Sequence, residues 1–215
     1  MNPAGTDIVN KVIESFPIPQ TNYQHLYLNA ADMSLNENLP PEISSVSYNA
    51  AENGAVQFRI KFNRDIQLCG YFKAHLYVST NAGNDMDLFM YVQREDSLGV
   101  MRYPKMLHVD YQGAEARLRV SHREVTNNVN WDYCYDTTNA TPIQAGEIVE
   151  VEPIFWPMGM IWKRGETLVL TISSANKRVL EFQNAPPVKT INKGIHSIYT
   201  GGKYASWLEI PLIDK

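Results

Sequence analysis

Two cysteines, Cys69 and Cys134, are all that this sequence contains, too few for a disulfide framework. They could pair, but Cys69 stands at an expected strand start, and two free thiols filling core space is the preferred reading. A basic excess is also missing. With 19 Lys and Arg against 23 Asp and Glu, a net charge of −4 and a pI near 5.7, the chain has nothing with which to neutralise a phosphate backbone, so nucleic acid is not an expected partner. No apolar run approaches the roughly 20 residues of a membrane span, so no membrane association is expected. The opening MNPAGTDIVNKVIESFPIP lacks the basic and apolar regions of a signal peptide. The expectation is a cytoplasmic chain, unless an export signal lies outside it. Asn139-Ala140-Thr141 fits a glycosylation acceptor and is read as loop.

The motifs of catalysis are absent as well. There is no G-x-S-x-G elbow and no alternating strand–helix pattern to carry one. Neither His-x-x-x-His nor Cys-x-x-Cys suggests zinc, and no glycine-rich phosphate loop occurs. Catalytic residues, metal and cofactor are therefore each expected to be none, and the chain alone is expected to be inactive.

What is present is alternation. Val56, Phe58, Ile60 and Phe62 face one way, with Gln57, Arg59 and Lys61 opposite, the period of a half-buried strand. From Gly70 to Glu95, Phe72, Ala74, Leu76 and Val78 alternate with polar residues, and Met86, Leu88, Met90 and Val92 repeat the pattern. Asn81-Ala82-Gly83-Asn84 between them supports a reversal, so a hairpin is expected. Further strands are expected at residues 23–28, 114–123, 146–156, 167–173, 195–200 and 207–213. Residues 29–41 and 124–144 read as loops, the second long and aromatic. A short helical segment at Asp7–Ser15 completes a lead-in, residues 1–22, ahead of one domain, residues 23–215. Eight to ten strands without a repeat predict an all-β jelly-roll β-sandwich.

Candidate site residues are few. Asp85 and Asp87, with Asp96 downstream, could bind calcium through oxygen ligands. A cross-strand ladder with Arg117, Arg119 and Arg123, all on one face of an expected strand at 114–123, is preferred because the cations are at hand. Trp131, Tyr133 and Tyr135, together with Trp156 and Trp162, could form an aromatic platform for a sugar or substrate side chain, although such residues more often fill cores. His122 and His196 read as structural histidines rather than proton-transfer groups.

Taken in order, several segments carry a family resemblance. They are Phe16-Pro17-Ile18-Pro19 with Leu26-Tyr27-Leu28, Gly70-Tyr71 with Asp85-Met86-Asp87-Leu88-Phe89, and Arg119-Val120-Ser121-His122-Arg123. Later come Trp156-Pro157-Met158-Gly159, Lys163-Arg164-Gly165-Glu166-Thr167-Leu168 and Ser206-Trp207-Leu208-Glu209-Ile210-Pro211. The chain resembles the C-terminal domain of X-Pro dipeptidyl-peptidases and related cocaine-esterase-like (CocE/NonD) serine hydrolases. The resemblance implies a galactose-binding-domain-like jelly roll that packs on an α/β-hydrolase catalytic domain of the same parent protein, with the Ser, Asp and His triad in that other domain. Self-association into a homo-oligomer is a further possibility. Two alternatives stay open: a stand-alone carbohydrate-binding module on the same fold, and a purely structural interaction domain.

Overall fold

The computed structural model describes residues 10–106, 109–129, 132–177 and 188–213. The first strands are β1 (Asn22–Asn29), β2 (Ser34–Asn36), β3 (Ser44–Asn49), β4 (Ala55–Lys61), β5 (Ile66–Gly70) and β6 (Lys73–Thr80). The middle of the chain forms β7 (Asp87–Glu95), β8 (Met101–Arg102), β9 (Lys105–Met106), β10 (Val109–Asp110), β11 (Ala114–Arg119), β12 (Val125–Val129) and β13 (Asp132–Tyr135). The last are β14 (Val149–Val151), β15 (Met158–Trp162), β16 (Thr167–Ser173), β17 (Ile195–Thr200) and β18 (Trp207–Leu212). Among the described residues the only helical pieces are two 3₁₀ turns, Ala50–Glu52 and Val120–His122. The protein is an all-β sandwich of the jelly-roll class.

One run of the main sheet is β11-β7-β16-β4, which passes through β2 to β1-β18-β6-β17-β3. The two ends of this path fold over a shared core in which Phe58, Leu76, Leu88, Leu170, Ile198 and Leu208 all have no exposed surface. Each such aliphatic or aromatic side chain contributes on the order of 2 kcal/mol by leaving water. β14 sits on the other edge of β6, and β15 pairs β5.

The hairpin expected at Gly70–Glu95 does not form. β6 is flanked by β14 on one side and by β17 and β18 on the other, while β7 lies between β11 and β16. The chain crosses from one layer to the other between Asn81 and Met86, and these long-range partners occupy both hydrogen-bonding edges of each strand. The inward set is nonetheless as expected: Phe72, Ala74, Leu76, Val78, Met86, Leu88, Met90 and Val92 are fully buried.

The opposite face of β7, expected to be wet, is buried too. Tyr91 donates its hydroxyl to Asn176 Oδ1 at 3.0 Å and accepts from the Lys177 amide at 2.8 Å. Gln93 accepts from Thr171 Oγ1 at 2.6 Å and donates to Gln112 Oε1 at 2.9 Å. These partners are what make burial of polar groups affordable on that side.

Three more expectations change. Residues 10–15 are not helical, and Val12 is 94% exposed, so no apolar helix face is buried there; residues 7–9 lie outside the described part. The stretch 124–144 contains the paired strands β12 and β13. Only Val149–Val151 of residues 146–156 is a strand.

Candidate functional site

The strand expected at 114–123 stops at Arg119, and this decides where the candidate ion pairs go. Asp85 Oδ1 accepts the amides of Met86 and Ser121, each at 2.8 Å, while the Val120 amide donates to Met86 O at 2.9 Å. Those contacts pull the chain out of extended geometry into the 3₁₀ turn. Arg117, Arg119 and Arg123 consequently do not share a strand face, and no five-member ladder exists. Asp85 serves as an acceptor for backbone amides rather than as an arginine partner.

Asp87 and Arg119 do meet. Their strands pair in register, Arg119 opposite Asp87, and Arg119 donates Nε to Oδ1 at 2.8 Å and Nη2 to Oδ2 at 3.0 Å. This two-pronged contact raises the guanidinium pKa. Asp87 Oδ2 also accepts the Ile191 amide at 3.1 Å, and Asn192 bonds both backbone groups of Asp87, at 2.7 and 2.9 Å. Arg117 turns instead to Glu115 Oε1 at 3.3 Å, on its own strand. Arg123 reaches the carbonyls of Val120 and Thr141 at 3.1 and 2.8 Å. Asp96 binds Arg102 and the amides of Leu98 and Val100.

The aromatic platform loses two of its members to the core. Trp162 has no exposed surface, packs edge-on against Phe62 and donates its indole N–H to Thr167 O at 3.2 Å. It cannot present a face to a sugar. The Tyr135 hydroxyl donates to Glu152 O at 3.0 Å and accepts the Ile154 amide at 3.1 Å, which fixes it as a strut between segments. Trp131 lies outside the described residues, and Tyr133 is described only as part of β13.

The structure assembles a polar–aromatic patch elsewhere, on the outer face of β14, β6, β18 and β1. Trp207 stands opposite His75 of β6 on one side and Tyr27 of β1 on the other. His75 and His25 stack on its indole at 5.0 and 3.9 Å between centroids, with planes 9° and 7° apart. The imidazoles come from the strands on either side of β18, so both indole faces are taken. Each imidazole meets a carboxylate: His25 Nε2 lies 3.2 Å from Glu209 Oε2, and His75 Nδ1 lies 3.1 Å from Glu152 Oε1 and 3.7 Å from Glu150 Oε1. Tyr77 donates its hydroxyl to Glu150 Oε2 at 3.3 Å. The His75 hydrogen bond, aided by the charge of Lys73, holds Glu152 below its ordinary pKa despite partial burial. Among the described residues, His75, Glu150 and Glu152 are the set whose potential metal-ligand atoms converge.

The comparisons with known proteins fit this scaffold. A family model described as "X-Pro dipeptidyl-peptidase C-terminal non-catalytic domain" matches residues 3–209. The chain belongs to that family. A search of the curated proteins returns no significant match. Among solved structures, a CocE/NonD family hydrolase from Staphylococcus aureus shares 32% identity at a TM-score of 0.87. The match covers 94% of this chain and 39% of the hydrolase, so this chain spans well under half of its relative's length. An aminopeptidase from a marine sediment Thaumarchaeota archaeon, at 13% identity and TM-score 0.67, covers 94% of this chain and 38% of its own. An α-amino acid ester hydrolase, at 13% and 0.62, covers 88% of this chain and 36% of its own. These last two share the fold.

Sequence reasoning missed the patch of this X-Pro dipeptidyl-peptidase C-terminal domain. Its clue was the alternation Glu150-Val151-Glu152, which places both carboxylates on one strand face. What no local pattern revealed is that His75, 77 residues from Glu152, lies opposite them. No described helix is long and apolar enough to cross a membrane.

Proposed function

We propose that this domain is the non-catalytic β-sandwich module of a serine hydrolase of the X-Pro dipeptidyl-peptidase or ester-hydrolase type. Its partner is the α/β-hydrolase catalytic domain of the same parent protein, which it steadies and whose active-site rim it helps to form. One observation carries the reading: a CocE/NonD hydrolase matches 94% of this chain at 32% identity, yet the match takes up only 39% of the hydrolase. A chain that aligns almost end to end with part of an enzyme, and has no nucleophile elbow of its own, contributes shape to the parent's acyl-transfer chemistry. Leu98, 85% exposed, and Trp156, 71% exposed, leave apolar surface in water that docking would remove. The carbohydrate-binding alternative loses two platform members, because Trp162 and Tyr135 are committed to packing, and Trp207 has both faces covered, which leaves Trp156 as an exposed aromatic of that set.

The test joins two probes on native material. An antiserum to this domain and a fluorophosphonate that labels activated serines should mark the same polypeptide or complex, one that hydrolyses X-Pro anilides or activated esters. The purified 215-residue chain should do neither. Inhibitor-sensitive ester hydrolysis by the purified chain itself would overturn the reading.

A further inference from the structure

The outer patch around β6 contains more converging ligand atoms than a scaffold needs. Glu150 lies on β14 and Glu152 just after it, so both project from one face, and the pairing of Val151 with Leu76 sets them against Tyr77 and His75. Both carboxylates approach the same atom, His75 Nδ1, at 3.1 and 3.7 Å. A ring nitrogen carries at most one hydrogen, so it satisfies one carboxylate and leaves the second facing the first. A divalent ion resolves that conflict. With metal bonds of about 2.0–2.2 Å to nitrogen and oxygen, adjacent ligands stand roughly 3.0–3.5 Å apart. The three ligand atoms here already lie within 4.8 Å of one another, and two of the spacings lie close to that range.

We propose that His75 Nδ1, Glu150 and Glu152 bind a divalent transition cation such as Zn²⁺ or Mn²⁺, with water completing the coordination shell. An imidazole in the set favours such an ion over Ca²⁺ or Mg²⁺, which prefer oxygen alone. The neighbours hold the ligands in place. Trp207 stacks on the His75 ring, and Tyr77 holds Glu150 Oε2, leaving Oε1 directed at the imidazole. The Glu150 side chain is 54% exposed, which leaves an entry path and room for water. Lys73, whose ammonium lies 5.3 Å above the Trp207 ring, is a competing cation that limits affinity. Bound there, the ion clips the short strand β14 to the sheet. The site does not depend on the hydrolase reading.

The test uses the 215-residue chain after chelator treatment and desalting, titrated with zinc chloride and, separately, manganese chloride by calorimetry. The expected result is saturable binding of one Zn²⁺ per chain and a melting temperature raised by zinc but not by magnesium chloride. Glu150→Gln and Glu152→Gln keep shape and weaken binding by about tenfold or more each, while their metal-free far-UV spectra match the parent. Absence of saturable binding by either ion, or equal binding by the Glu150→Gln/Glu152→Gln double variant, overturns the site.

Discussion

Replacing Asp87 by alanine removes the acceptor for three N–H groups at once. Two belong to Arg119, at 2.8 and 3.0 Å, and one to the Ile191 backbone, at 3.1 Å. Hydrogen bonds to a charged group contribute about 1.5–3 kcal/mol when both partners are buried. The Arg119 side chain is 42% exposed and rehydrates when released, so its share is discounted to about 1 kcal/mol. The Ile191 amide is part-buried and loses its acceptor, which costs about 1–2 kcal/mol. The expected loss is about 2–3 kcal/mol, and at roughly 2–4 °C per kcal/mol for a domain of this size the melting temperature falls by about 5–10 °C. Asp87→Asn keeps an acceptor for Ile191 and should lose about half as much. A double-mutant cycle with Arg119→Gln, read by calorimetry and urea unfolding, should return a coupling near 1 kcal/mol. An Asp87→Ala shift below about 1 °C, or zero coupling with Arg119, would refute the lock between β7, β11 and the segment at Ile191.

Three other outcomes follow from buried positions. His196 has no exposed surface, and burial pushes its pKa from 6.5 down to about 4, with Asp87 pulling weakly the other way. Because the native value is the lower one, the contribution of the neutral ring is complete above pH 6.5 and is lost as pH falls toward 4, to a total of about 3 kcal/mol. An NMR titration should show no His196 midpoint near 6.5, and His196→Gln should flatten the acid limb of stability. Trp162→Ala should cost about 3–5 kcal/mol, measured by urea unfolding, with no change on a glycan array. Gly113 sits at φ +108°, and a Cβ there would collide with the Val92 carbonyl oxygen. Gly113→Ala should therefore lower the melting temperature by several degrees through a shift of β7 or the turn, whereas Gly99→Ala, whose added Cβ meets nothing within 4 Å, keeps only the backbone strain.

Where one strand edge and one strand face settle the matter, the sequence was legible. Thr167–Ser173 and Ile195–Thr200 form β16 and β17 at the expected bounds, and Ala55–Lys61 falls one residue short of its expectation. The short strands β2, β3 and β5 were not seen, since three to six residues of mixed polarity carry little periodicity. The hairpin failed for a different reason. Asn81–Asn84 does allow a change of direction, but seven residue pairs between β7 and β16 outweigh anything a local turn can offer. The same long-range pairing explains the site. Asp87 and Arg119 were foreseeable as opposite charges on strands, whereas the loss of Arg123 from the set depends on Asp85 capturing the Ser121 amide. The patch at His75 depends on which strand lies beside β6, and that is a property of the whole fold.

The pairing of β1 with β18, from Asn22 opposite Leu212 to Tyr27 opposite Trp207, fixes when this domain can mature during synthesis. Within the domain, the first strand must wait for the last, since its ladder edge toward β18 has no partner until residue 212 is made. Until then Leu26 and Leu28 have no finished layer to enter, and the nascent chain carries an open, partly apolar edge of the kind that invites wrong pairing. Folding is thus a late, single closure, slow because its contacts join distant parts of the chain. Truncation just before Trp207 would leave a polypeptide that holds nearly every strand and still lacks the clasp.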